Sequence, residues 1–119
     1  MRKTDKKIDN QLRIGLTDVC EIALKQINGF QWLTHTVNYT HFPQSLTFVC
    51  VFQSNEQLLV FKASDAEKLL INLIEKKLND IGVKLKRVAN HILYDSEENC
   101  AKVDQGNWAK RLSNLKTLQ

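Results

Sequence analysis

Proline and glycine are scarce: one Pro and four Gly in 119 residues. That excludes a linker-rich or low-complexity chain. No window approaches the roughly 18 apolar residues of a membrane-spanning helix. The N-terminal residues, Met1 to Asp9, are charged and lack the apolar stretch of a signal peptide, so the chain is expected to be soluble and cytoplasmic. Cysteines number three (Cys20, Cys50 and Cys100), widely spaced and without a C-x-x-C pair. An odd, dispersed set argues against both a disulfide framework and a zinc site. Cys20 and Cys50 fall on apolar patterns and read as small core residues. Cys100 lies in a polar segment and reads as the free thiol.

Signatures of chemistry are also missing. The histidines, His35, His41 and His91, match no helical metal pair, and neither a metal nor a cofactor is implied. His41, placed in a turn, is the one with most scope for a role. The four glycines form no Gly-x-x-Gly clamp of a K-homology domain, and no aromatic signature of an RNA-recognition motif is present. A restriction-endonuclease-like core needs an acid-x-Lys pair beside a second carboxylate to hold magnesium. Here Lys62 is preceded by Val60 at the required position, and Glu56 lies before the expected strand. No catalytic residue is assigned, and the chain reads as non-enzymatic.

What is present is an ordinary globular composition, 43% hydrophobic and 25% charged, in a length suited to one domain over residues 1–119. Ile8, Leu12, Leu16, Val19, Ala23 and Ile27 recur at spacings of three and four, predicting an amphipathic helix over 6–28. Asn28-Gly29 ends it, and Gly15 inside it suggests a close packing contact. Phe30 to Thr40 reads as a strand rich in β-branched and aromatic residues, followed by a turn at Pro43. Leu46 to Phe52 is apolar throughout, the pattern of a central strand covered on both faces. These two strands form an expected antiparallel hairpin. Leu58 to Lys62, after a turn at 54–57, reads as either a third strand or a short helical lead-in, with the strand favoured. Ser64 and Glu67 have the spacing of a capping box, opening a second helix with Leu70, Ile74 and Leu78 on its apolar face and Gly82 as its stop.

Beyond Gly82, Val83, Leu85 and Arg87 alternate with Lys84, Lys86 and Val88, an edge-strand pattern with lysines that discourage pairing. A further strand is expected near His91 to Tyr94, then a polar loop over 95–105. Asn107 caps a short last helix with Trp108, Leu112 and Leu115 on one side. The fold class is therefore α+β, an antiparallel sheet with helices packed on it, in the order α-β-β-(β)-α-β-(β)-α. That order is also the one followed by secretion-chaperone-like domains, which dimerise around an unfolded partner; those are generally acidic.

The net charge is +4, in three clusters: Arg2, Lys3, Lys6 and Lys7; Lys84, Lys86 and Arg87; and Lys102, Lys110, Arg111 and Lys116. Such an excess favours a polyanion. The leading expectation is a nucleic-acid-binding module. Lys84, Lys86, Arg87, Lys110 and Arg111 would contact phosphates, and Trp108 would offer a stacking platform. The alternative is a protein-interaction or dimeric scaffold domain anchored by Trp32, Phe42 and Trp108.

Four segments carry a family resemblance: residues 1–7 (MRKTDKK), 16–20 (LTDVC), 29–35 (GFQWLTH) and 106–112 (GNWAKRL). Together they resemble a family of small uncharacterised bacterial proteins whose members are often labelled Fis-family transcriptional regulators. The resemblance spans nearly the whole chain and implies no established activity. Fis itself ends in a helix-turn-helix whose second helix enters the major groove. With a single short C-terminal helix expected here, no DNA-contact residue of Fis is carried over.

Overall fold

A computed structural model describes residues 2–117, with side chains through Asn114. The expectations for Met1, and for the side chains of Leu115 and Lys116, lie outside the described residues. The chain folds as an α+β domain, three strands with five helices packed on them. The helices are α1 (Lys3–Gln26), α2 (Asn55–Lys62), α3 (Ala66–Asp80), α4 (Glu97–Asp104) and α5 (Trp108–Thr117). The strands are β1 (Phe30–Thr36), β2 (Thr47–Phe52) and β3 (Ile92–Ser96), in the sheet order β1-β2-β3.

The apolar run becomes the middle strand as expected, with every residue of β2 buried. Alternation puts Phe48, Cys50 and Phe52 on one face, in the same core as Leu12, Leu16, Val19, Leu70 and Ile74 from α1 and α3. Val49 and Val51 point to the other face, 1% and 0% exposed. There Trp108 of α5 meets Trp32, the register neighbour of Val51. Both faces are thus covered, the condition that allows a strand with no polar residues except Thr47.

The β1–β2 pair is antiparallel, but β2 and β3 run parallel, so the sheet is mixed where an antiparallel one was expected. The reason lies in residues 58–62, which are helical instead of forming a return strand. Ser54 caps α2 by accepting a hydrogen bond from the Gln57 amide at 3.2 Å. Helices α2 and α3 together carry the chain back across the sheet, so β3 enters in the direction of β2. Only Phe61 of α2 is buried, whereas Leu59 is 71% exposed.

The segment 83–87 keeps its alternation without a partner strand. Val83 and Val88 are buried against the core while Lys84, Lys86 and Arg87 are exposed. The supposed loop over 95–105 is the end of β3 and then α4, capped by the Ser96 hydroxyl accepting from the Asn99 amide at 3.0 Å. Cys100 accordingly sits fully buried on α4, not in a polar loop, and burial pushes its thiol pKa up. Cys50 behaves as the core residue expected, its thiol pushed up to about 12 by burial. Helices α4 and α5 form a two-helix unit joined by three residues, in place of the loop and lone helix expected. Asn107 does cap α5, its side-chain oxygen accepting from the Lys110 amide at 3.1 Å.

Two local details depart from the sequence expectation. Ser64 makes no capping box with Glu67; its hydroxyl donates to the Phe61 carbonyl at 2.8 Å and accepts from the Ala66 amide at 3.1 Å. It therefore staples the end of α2 to the start of α3. Gly15 does lie at the α1–α3 contact, but an added Cβ would stand at an ordinary 3.6 Å from Lys77 Cβ. Gly29 is the glycine that cannot change. Its φ is +82°, and a Cβ there would fall 2.7 Å from Gln57 Cβ.

Candidate nucleic-acid interface and the clefts beside it

The direction of α3 against α1 decides where the basic clusters fall. Gly15 and Asp18 of α1 meet Lys77, while Gln11 and Leu12 lie beside Leu78 and Ile81. The two helices therefore run antiparallel. The loop that follows α3, bearing Lys84, Lys86 and Arg87, leaves α3 on the side of the N-terminal half of α1, whose first turns carry Arg2, Lys3, Lys6 and Lys7. No ion pair neutralises Lys3, Lys6, Lys7, Lys84, Lys86 or Arg87 among the described residues. Asp5 does pair with Arg2 at 3.3 Å.

The third cluster is elsewhere. Arg87 precedes β3 and Arg111 joins Asp95 near its far end; a five-residue strand spans roughly 16 Å. Arg111 is no free phosphate ligand. Its guanidinium donates from Nε and Nη2 to Asp95 and from Nη1 to Asp104, with the side chain only 17% exposed. Lys110 remains exposed, 4.0 Å from Asp104. Trp108 is no open stacking platform either. Its indole N–H donates to Glu97 at 2.9 Å, and Trp32 donates to the other oxygen of the same carboxylate at 2.7 Å. The two rings meet edge to face at 4.8 Å. This arrangement also occupies two of the three apolar anchors of the scaffold reading, and Phe42 packs on Tyr39 at 5.4 Å.

The C-terminal ends of the parallel pair β2 and β3 are the usual ligand position in open sheets. Here that position is filled by the protein's own groups. Glu98 accepts from the Asn55 amide at 2.9 Å, and that hydrogen bond, with Lys102 beside it, holds its carboxyl below the usual range. Asn55 in turn links Ser96 and Asn99. No group of three or more potential metal ligands occurs among the described residues.

At the basic end, a groove of about 780 Å³ runs between α1 and β1, lined by Asp9, Arg13, Thr17, Cys20, His35 and Tyr39 among others. Asp9 is 8% exposed. Its carboxylate accepts from His35 Nε2 at 3.0 Å and Tyr39 OH at 2.8 Å, and forms an ion pair with Arg13 Nε at 2.9 Å. Sequence reading passed over Asp9, although a signal was there. Asp9, Leu12, Leu16, Val19 and Ala23 are spaced 3, 4, 3 and 4, so a carboxylate occupies one place in the buried stripe of α1.

Burial raises the Asp9 pKa, but hydrogen bonds from His35 and Tyr39 and the charge of Arg13 outweigh it, and the net shift is downward. The same carboxylate and the loss of solvent push the Tyr39 phenol up. A carboxyl with a depressed folded pKa stabilises the fold above its unfolded value and loses that contribution as pH falls through the folded one. Urea midpoints are therefore expected to drop below about pH 4, and Asp9→Asn should flatten that acid limb. Parallel slopes for the two proteins between pH 2 and 5 would show that Asp9 is not responsible.

A second cleft, about 590 Å³, opens at the same end against the β-sheet face opposite α1, with Thr36, Thr47 and Leu93 among its lining. His91 holds its place there by hydrogen-bonding from Nδ1 to the Leu46 carbonyl at 2.7 Å. Since a carbonyl only accepts, Nδ1 is the donor in that bond.

Comparison with known proteins finds no matching family model, no similar curated protein and no similar solved structure. No helix among the described residues is long and apolar enough to cross a membrane.

Proposed function

We propose that this chain is a non-enzymatic nucleic-acid-binding module whose contact surface is the end carrying the first turns of α1 and the Lys84–Arg87 loop. The observation behind this reading is that Lys84, Lys86 and Arg87 in the loop after α3, and Lys3, Lys6 and Lys7 at the start of the α1 helix against which α3 packs, make no ion pair among the described residues. Phosphates spaced along a strand match such a set of exposed cations. The family resemblance supplies no activity, so charge placement carries the argument. Of the residues first singled out, Lys84, Lys86 and Arg87 remain in the proposed surface, while Lys110, Arg111 and Trp108 leave it.

Fluorescence anisotropy of labelled single- and double-stranded DNA and RNA, from low to physiological salt, tests the reading. Binding should weaken steeply with salt. The triple variant Lys84→Ala, Lys86→Ala, Arg87→Ala should lose at least tenfold in affinity and flatten the logarithmic salt slope by about 2 to 3. Lys110→Ala should change little. Equal losses in the two variants, or no binding even at low salt, would reject the reading and favour a protein partner.

A further inference from the structure

We infer that the cleft opposite α1 at the basic end is a pocket for one unpaired nucleobase, an inference that rests on the proposed nucleic-acid reading and deepens it. Its lining contains no Asp, Glu, Lys or Arg. A charged ligand group would find no counter-charge inside, so the walls favour a neutral ligand. Three carboxamides, Asn38, Gln44 and Asn90, line it with His41 and His91. Amides present a donor and an acceptor side by side, the pairing that reads the hydrogen-bonding edge of a base. Val37 and Leu93 add apolar surface for the base's flat face.

Its polar groups are also open to a ligand. The side chains of Gln44, Asn90 and His41 make no hydrogen bond within the described residues and all three are exposed. His91 is oriented from behind by the Leu46 carbonyl, and its Nε2 makes no hydrogen bond among the described residues. The volume suits a nucleotide-sized group. The pocket also adjoins the cationic loop, because the Asn90 amide donates to the Arg87 carbonyl at 3.1 Å. A base in the cleft would leave its flanking phosphates near Arg87, Lys86 and Lys84. A duplex engages the Watson–Crick edge of each base and stacks its faces, so the fitting partner is single-stranded nucleic acid, with phosphates on the basic loop and one base turned in.

The test compares short single-stranded oligonucleotides carrying bases with an abasic oligonucleotide of the same phosphate count. The proteins are the full chain and its double variant Gln44→Ala, Asn90→Ala, which removes two exposed, unpartnered side chains and should fold normally. The wild type should prefer the base-bearing strands by about tenfold. The double variant should lose that preference and keep the same salt slope. Wild type binding the abasic strand equally well, or the double variant keeping the preference, would overturn the pocket and leave the phosphate surface standing. No binding of any strand would overturn the nucleic-acid reading itself. Competition by free nucleoside monophosphates as effective as the strand would overturn the strand partner and leave a mononucleotide pocket.

Discussion

Arg111→Ala is expected to lower stability by about 3 kcal/mol, seen as a much lower urea midpoint with little change in slope. Asp95 and Asp104 are 5% and 6% exposed, and both depend on the same guanidinium. Removing it leaves nearly buried Asp95 without its cation and Asp104 with only Lys110 at 4.0 Å, so the cost is the desolvation of poorly paired charge more than the loss of attraction. The partial exposure of Arg111 places the figure at the low end of the range for buried pairs. Arg111→Lys should recover little, because an ammonium cannot reproduce a fork reaching two carboxylates at once. Lys110→Ala is the control. Its ammonium is 61% exposed and 4.0 Å from Asp104, so a change below about 0.5 kcal/mol is expected. A loss within 1 kcal/mol for Arg111→Ala would show that water reaches the site freely and that the network is a surface feature.

Phe52→Ala is expected to cost about 4 kcal/mol. Its ring is fully buried, edge-on to Phe30 at 5.8 Å and tilted against Phe61 at 4.5 Å. The substitution empties the point where β1, β2 and α2 meet, and a close-packed interior refills such a space only partly. For a domain with a stability of roughly 5–15 kcal/mol, that is a large fraction of the whole. Phe42→Ala should cost far less, since Phe42 is only half-buried and packs chiefly on Tyr39. Comparable losses at the two positions would mean that the core is not concentrated at this junction.

The charge map shows how sequence and fold divide the functional question. All three basic clusters were visible as runs of Lys and Arg, but their relation in space was not. The second and third clusters, 15 or more positions apart in sequence, are separated in space where Arg87 precedes β3 and Arg111 joins Asp95 near its far end. The second is turned toward the half of α1 that carries the first because α3 runs antiparallel to α1. Trp108 and Arg111 looked like ligand-contacting residues because aromatic and guanidinium groups serve that role at surfaces. Glu97, Asp95 and Asp104 claim both of them, and carboxylates in a supposed loop carried no sign of doing so.

Periodicity alone determined α1, α3 and the buried middle strand, and with them the α+β class. Those elements rest on apolar positions repeating every 3.6 or 2 residues, a property each segment carries within itself. Asn107 as a cap and Gly29 as a stop were likewise local. Signals for α2 and α4 were present in Ser54-x-x-Gln57 and in Ser96 followed by two acids, yet short segments with weak apolar faces compete poorly with turn and loop readings. Tertiary structure alone decided the parallel pairing of β3, the burial of Cys100, the partners of Asp9 and the side of α1 on which the Lys84–Arg87 loop emerges. Each depends on which distant segments become neighbours, and packing both faces of one apolar strand settles that, beyond the reach of any local pattern.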